Sequence, residues 1–382
     1  MRWGIIGAGM MGQEHIRNLA LLPDAQVLAI VEPDAAMAAA AMALAPDARC
    51  CDSVTALLDQ PVDAVLIASP NDLHLSQIEQ IAATRPLPLM VEKPLFTDPG
   101  STDRLAALAT YPAPVWVAME YRYMPPIARL VSTADSVTGG VRMLSIREHR
   151  FPFLHKVGGW NRFNARSGGT MVEKCCHFFD LMRLILQDDP VRVMASAGQA
   201  VNHKDERVDG RQPDVWDSGY VIVDFARGGR AMLELCMFAE GARYQEQVAA
   251  TGPDGLIEAF VPGPTRFWPD HLGAPPVAQV IASPRTPKGP HVLKIPVDPT
   301  LLAAGDHNGS TFWQHQRFAR AMAGDGPVEV PVRDGWWAVA MGMAAQDSAR
   351  TGRAIEIADQ PYAPPARSVQ SGTKRSATPL MQ

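Results

Sequence analysis

The opening dozen residues leave this chain few choices. Trp3 to Ile6 is a short apolar run that feeds directly into Gly7-x-Gly9-x-x-Gly12, and the apolar-periodic segment Met11 to Leu22 follows at once. That order predicts strand, tight turn, helix. In such a turn the first glycine lets the chain reverse, the second lets a pyrophosphate approach the backbone, and the third brings the helix close to the strand. The start of the helix, at Met10 and Met11, then offers free N–H groups to phosphate charge. The motif alone has low specificity. Its place between a strand and a helix points to a bound nucleotide.

The rest of the first 120 residues keeps the same rhythm. Gln26 to Val31, Arg49 to Cys51, Ala64 to Ala68, Leu87 to Val91 and Val115 to Ala118 read as strands. Ala35 to Leu44, Ser53 to Leu58, Asp72 to Ala83 and Ser101 to Ala109 read as the helices between them. Such alternation predicts a parallel sheet covered on both faces, with its ligand edge at the carboxyl ends of the strands. From about Tyr121 the period changes to two. Val141 to Phe151, Val191 to Val201, Gly219 to Ala226, Arg230 to Phe238 and Glu246 to Ala250 alternate as strands, and Ala226-Arg-Gly-Gly-Arg230 signals a hairpin. Helices are expected at Thr170 to Leu186, Thr311 to Met322 and Gly335 to Arg350. The expected division is therefore an α/β unit over 1–120 and an α+β unit with a mostly antiparallel sheet over 121–357. A flexible tail or an arm laid over a neighbour follows at 358–382. The Pro- and Gly-dense stretch 262–296 reads as a surface insertion, with a substrate lid as the less favoured reading. An antiparallel sheet needs both faces covered, so a homo-oligomer, dimer or tetramer, is expected.

Charge narrows the partners. A formal net charge of −5 across 382 residues gives no basic field for nucleic acid, and no apolar run approaches a membrane span. Small molecules and copies of the chain itself remain. Five cysteines without a CxxC predict reduced thiols in a cytoplasmic protein.

Several strand ends then carry chemistry. Val27 to Val31 ends at Glu32, twenty residues beyond Gly12. An acid there accepts hydrogen bonds from ribose hydroxyls and repels a 2′-phosphate, so NAD is expected over NADP. Ser69-Pro70-Asn71, with His74 one turn later, ends another strand, and Asn71 could cap the helix that follows. Glu92-Lys93-Pro94 ends the next. A lysine on this edge can hydrogen-bond a hydroxyl undergoing oxidation or lower its pKa.

The glycine turn, Ser69-Pro70-Asn71 with His74, and Glu92-Lys93-Pro94 at these intervals resemble the Gfo/Idh/MocA family, the glucose-fructose oxidoreductase and inositol dehydrogenase group. In relatives the Lys-Pro peptide is typically cis. The resemblance spans nearly the whole chain, through Ser167-Gly-Gly-Thr170, Glu173-Lys-Cys-Cys-His177-Phe-Phe-Asp180 and Ala345 to Ile357. It implies an N-terminal Rossmann dinucleotide-binding domain and a C-terminal domain with a large, mostly antiparallel sheet. The implied activity is NAD-dependent oxidation of a secondary hydroxyl on a sugar, sugar derivative or cyclic polyol. Two rivals are an NAD-dependent glycosidase acting through transient sugar oxidation and a non-catalytic NAD(P)-sensing regulator. Glu92-Lys93-Pro94 argues against the first, since that branch tends to replace the lysine, and retention of Lys93 and His177 argues against the second.

Residues Glu173, His177 and Asp180, at i, i+4 and i+7, are expected on one helix face. A histidine there can take a hydroxyl proton while a carboxylate orients its ring. A metal site would need further ligands, and none is expected without an HxH or HExxH pair. Relatives usually have aspartate where Glu173 stands, which leaves His177 as the base and the carboxylate's part open. Arg122, in Glu120-Tyr-Arg-Tyr123, could contact hydroxyls or bridge the domains. His155 with Lys156, Trp160, Arg162 and Asn308 complete the expected substrate-side set. Trp160 can stack on a sugar face, and Asp306-His-Asn308 could equally cap a helix.

Overall fold

The computed structural model describes residues 1–108 and 110–365. Ala109, the expected last residue of one helix, and residues 366–382 of the expected tail lie outside the described residues. Six parallel strands make the first sheet: β1 (Arg2–Ile6), β2 (Gln26–Val31), β3 (Arg49–Cys51), β4 (Ala64–Ile67), β5 (Leu89–Val91) and β6 (Val115–Val117). They lie in the order β3-β2-β1-β4-β5-β6. Helices α1 (Met10–Leu19), α2 (Ala35–Leu44), α3 (Val54–Leu58), α4 (His74–Thr84) and α5 (Thr102–Leu108) connect them. Ile5, Val65, Leu66 and Ile67 are fully buried, as strands covered on both faces must be. Helix starts follow local chemistry: Asp34 accepts the N–H groups of Ala36 and Met37, and Ser53 that of Ala56. The strand order reverses between β1 and β4, which opens a crevice at their carboxyl ends.

The second unit begins with α6 (Pro125–Thr138) and β7 (Met143–His149), followed by α7 (Asn164–Ser167), α8 (Thr170–Glu173) and α9 (Cys176–Leu186). Next come β8 (Pro190–Gly198), β9 (Ser218–Phe225), β10 (Arg230–Cys236), β11 (Glu246–Gly252), β12 (Gly255–Val261), β13 (Ala278–Pro284) and β14 (His291–Ile295). Helices α10 (Pro299–Ala304), α11 (Ser310–Met322) and α12 (Val332–Thr351) and the short β15 (Ile355–Glu356) close the chain. Nine strands pair as β14-β13-β12-β11-β7-β10-β9-β8-β15. Only β7 and β10 run parallel. Helices α6, α9 and α12 cover one face. Along β7 the side chains alternate accordingly, with Leu144 and Ile146 buried and Met143 exposed.

Three local expectations change. The stretch 262–296 is an insertion only in part, since β13 and β14 extend the sheet. Its irregular portion is the segment between β12 and β13. The unexpected helix α6 starts on Pro125-Pro126, a pair that looks like a breaker but suits the first turn of a helix, where no intrahelical N–H bond is needed. The helix expected over Thr170 to Leu186 is interrupted. Cys175 N–H donates to Thr170 O, five residues back, a widened π-type turn that resets the helical face between α8 and α9.

The closing helices return to the first unit. Val117 N–H donates to Val330 O at 2.9 Å, α11 packs on α1, and a Cβ at Gly335 would sit 2.8 Å from Val117 Cγ2. The beginning of the expected tail is laid along α12, where Trp336 Nε1 donates to Tyr362 O and the Tyr362 hydroxyl to Asp347. Among the described residues no helix is long and apolar enough to cross a membrane.

Candidate active site

The glycine turn has the shape its spacing requires. Gly7 has φ +86°, and a Cβ there would lie 2.5 Å from Ser69 N, while one on Gly12 would lie 2.3 Å from Gly7 O. Both positions exclude a side chain. Gly9 differs, because a Cβ there meets nothing within 4 Å and the backbone alone lines an open flank. That cradle fits a dinucleotide's pyrophosphate. Met10 is exposed and Met11 half-buried at the start of α1 beside it. Glu32 is fixed against the turn, accepting Ala8 N–H at 2.6 Å and Asp34 N–H at 2.9 Å.

Around the next strand end the expected cofactor contacts become supports. Ser69 donates its hydroxyl to Gln77, and Pro70 leads into the single 3-10 turn Asn71–Leu73. Asn71 does not cap α4; its amide donates to Ser167 O in the second unit at 3.0 Å. His74 is fully buried with Nδ1 2.8 Å from Pro94 O and Nε2 3.1 Å from Ser69 O. Its ring therefore clamps two loops together.

At the end of β5 the Lys93–Pro94 peptide is cis. Glu92 is buried and pairs with His15 Nε2 at 2.8 Å, and His15 Nδ1 lies 2.8 Å from His315. Lys93 Nζ reaches across to donate to Glu173 O at 3.2 Å. Burial would lower its pKa, but Cys176 and the carboxylates of Glu173, Glu92 and Glu120 outweigh that and hold it raised. Lys93 is thus a cation on the ligand edge.

The second unit answers with His177, buried on α9 and stacked on the Tyr121 ring at 4.1 Å and 9°. Burial, with Lys93, Lys174, His307 and Arg150 nearby, pushes its pKa well down, so the ring is neutral and free to accept a proton. Its expected neighbours point elsewhere. Glu173 pairs with Lys156 at 3.2 Å, and Asp180 is held by Nε and Nη2 of Arg122. Arg122 also meets Asp334 at 3.1 Å and Glu329 O at 2.8 Å. The reset between α8 and α9 explains the divergence: Glu173 is not on the face that carries His177. Asp180 and Arg122 form a buried inter-element ion pair, the bridging alternative for Arg122.

The carboxylate nearest His177 is Glu120, with Oε1 3.6 Å from Nε2. His307 Nε2 lies 3.9 Å from the same oxygen, and its Nδ1 is 2.7 Å from Glu14 on α1. Burial and the charge of Glu92 raise Glu120 to about 7. Glu14 is lowered to about 2 although burial opposes it, because His307 and the Asp306 N–H outweigh that burial. His307 is raised to about 9, against burial, by Glu14. Of the residues gathered here, Lys156 was named by sequence beside His155, while Glu120, His307 and Glu14 were not singled out as site residues. The available signal was the register itself, since each stands within two residues of a position that was.

The remaining substrate-side residues have partners of their own in the structure. His155 is exposed, and Lys156 takes the inward place beside Glu173. Trp160 is buried beneath the Lys156 ammonium at 4.4 Å. Arg162 pairs with Glu206, and the amide of Asn308 donates to Pro262 O, so both brace loops. Among the described residues no cluster of His, Cys, Asp and Glu is arranged to hold a metal ion.

Comparison with known proteins gives this arrangement its relatives. An inositol 2-dehydrogenase of Rhizobium meliloti (strain 1021) is 29% identical over 68% of this chain and 75% of its own length. Inositol 2-dehydrogenase 2 of Saccharopolyspora erythraea is 27% identical over 95% of this chain and 98% of its own. A levoglucosan dehydrogenase, solved with NADH and levoglucosan, shares the fold at a TM-score of 0.76, with 19% identity over 94% of this chain and 99% of that one. Residues 1–118 match an oxidoreductase family with an NAD-binding Rossmann fold, and residues 135–357 match the C-terminal alpha/beta domain of the same family. The chain belongs to the Gfo/Idh/MocA family of oxidoreductases.

Proposed function

We propose that the protein is an NAD-dependent dehydrogenase of a cyclic polyol or sugar, with Lys93 and His177 at the reacting hydroxyl. The observation that carries this reading is the reach of Lys93 from the first unit to Glu173 O, four residues before His177. On this reading a cationic donor and a neutral base stand on two sides of the reacting hydroxyl. NAD would be held by Gly7 to Gly12 and Glu32 and would supply the acceptor for the carbon-bound hydrogen. Lys93 donates to the hydroxyl oxygen and stabilises negative charge developing on it, while His177 takes the hydroxyl proton. Glu173, through its carbonyl and its carboxylate, holds Lys93 and Lys156 in place. The inositol dehydrogenase names of relatives that align over most of their length support a polyol substrate. Neither the glycosidase nor the regulator is favoured, since Lys93 and His177 are both present and converge.

The test is Lys93→Ala assayed by NADH absorbance with myo-inositol and levoglucosan. Loss of turnover by about 100- to 10 000-fold with NAD affinity preserved is expected. Wild-type turnover in the variant would overturn the mechanism, and glycoside cleavage without net NADH would replace the activity. We propose also that the second unit, from about residue 121, closes the cleft and that copies of the chain associate through the uncovered face of its sheet. Met194, Ile222 and Met232 form a row of exposed apolar side chains across β8, β9 and β10 there.

A further inference from the structure

We propose that Glu120, with His307 and Glu14 behind it, forms a proton path that carries the substrate's hydroxyl proton away from His177 to the rim of the cleft. The proposal rests on the dehydrogenase reading and gives Glu120 the place that sequence spacing assigns to Glu173. Glu173 meets Lys156 through Oε1, and among the described residues its carboxylate makes no ion pair with His177, whereas Glu120 does. Glu120 and His177 are almost completely buried, and neither Glu120 oxygen accepts a hydrogen bond among the described residues. His177 Nδ1 is likewise without a partner there, while Nε2 faces Glu120. A buried carboxylate left unbonded beside a buried imidazole is costly unless the two share a proton at some stage. His307 lies beyond Glu120 with its side chain 21% exposed, and Glu14 fixes its ring through Nδ1. The spacings of 3.6 and 3.9 Å exceed a hydrogen bond, as catalytic contacts often do before substrate closes the site.

The proton count balances. In oxidation the hydroxyl O–H bond breaks as its proton moves to His177 Nδ1. The C–H electron pair leaves with its hydrogen to the oxidised nicotinamide, and the carbonyl forms. The imidazolium then gives its Nε2 proton to Glu120, which passes it to a His307 that has released its own Nε2 proton to solvent. His307 returns to its resting form, one proton has left the site, and His177, left protonated on Nδ1, regains its starting Nε2–H tautomer by exchange with water once product has gone. In reduction the path runs backward. Glu120 and His307, with pKa values of about 7 and about 9, lie in the range where such transfers occur at neutral pH. The groups facing Glu120 are Glu92, Lys93, Cys176, His177 and His307, and those facing His177 include also Lys174, Arg150 and the Tyr121 ring.

Glu120 and His307 are positioning residues on this account, and their test is made on the full chain labelled with 15N-histidine, with His177→Gln used to assign its ring signals. In the parent the His177 ring signals should report a step near pH 7 as Glu120 ionises beside it; that step should vanish in Glu120→Gln, and Glu120→Asp should restore most of it. With myo-inositol and levoglucosan, Glu120→Gln should lose about 10- to 100-fold in kcat with the KM for NAD unchanged. Glu120→Gln combined with His307→Gln should be no worse than the poorer single variant, because both break one path. An unchanged His177 titration in the Gln variant, or losses that multiply in the double variant, would overturn the path. Failure of the unmodified protein to oxidise any sugar or polyol would instead overturn the dehydrogenase reading, and the titration would still report whether Glu120 and His177 are coupled.

Discussion

At the end of β2, Glu32 accepts the Ala8 N–H at 2.6 Å, so its carboxylate is held against the glycine turn, where the proposed NAD site would place the adenosine ribose. A 2′-phosphate there would face a fixed negative charge. Glu32→Gln keeps an acceptor for Ala8 and removes the charge; it should shift the NAD:NADP ratio of kcat/KM toward NADP by about tenfold, read with both cofactors on one substrate. An unchanged ratio would mean that Glu32 does not select the cofactor. Residues of this kind were legible because a motif fixes their place: Glu32, Lys93 and His177 each stand at the end of a recognisable segment. Their partners were less so. A one-residue step decides that Lys156 and not His155 turns inward, and spacing alone does not say whether Asp180 serves His177 or, as found, Arg122.

Between elements, the glycine pair after α7 shows how a turn can set the position of the helices that lead to His177. Gly168 and Gly169 have φ of +85° and +84°, and a Cβ on Gly169 would fall 1.9 Å from Gln346 Oε1 on α12. Gln346 in turn donates to Gly168 O at 3.0 Å. Gly169→Ala therefore meets both backbone strain and a clash, and should destabilise the fold by about 2 kcal/mol or more while lowering kcat through the displaced α8 and α9. Chemical denaturation monitored alongside turnover would show this, and a variant as stable as the parent would refute it. The period-two strands and the hairpin at Gly228 were readable from sequence because one sheet face is buried and the other is not. The break between α8 and α9 was not, because a single extra residue in a turn leaves the apolar pattern of Phe178, Phe179 and Met182 intact. The helix α6 was hidden by its two initial prolines, and β13 and β14 by the proline and glycine around them.

Over the whole molecule, two surfaces remain to be accounted for. The outer face of the large sheet exposes Tyr220 at 59%, Ile222 at 46% and Met232 at 38%, an apolar row that association with a second copy would cover. Ile222→Glu should convert the assembly to a smaller species in light scattering after gel filtration; an unchanged mass would exclude this face from the interface. The other surface joins the two units, where Glu14 on α1 accepts from His307 just before α11. Glu14, lowered from 4.5 to about 2, contributes stability in full above the unfolded carboxylate value and loses it as pH falls toward 2. His307, raised from 6.5 to about 9, contributes in full below its unfolded value and loses that contribution as pH rises through 9. The pair is therefore fully effective between about pH 4.5 and 6.5, and both flanks of the stability profile should slope away from that window. Glu14→Gln removes the charge and leaves His307 half-buried without its partner, so stability near pH 6 should drop by about 3 kcal/mol and both slopes should flatten. Thermal unfolding across pH 3 to 10, parent against variant, would measure this. Parallel profiles would show that the two units are held by packing of α11 and α12 alone, and that His307 is free to serve the proton path without also holding the cleft shut.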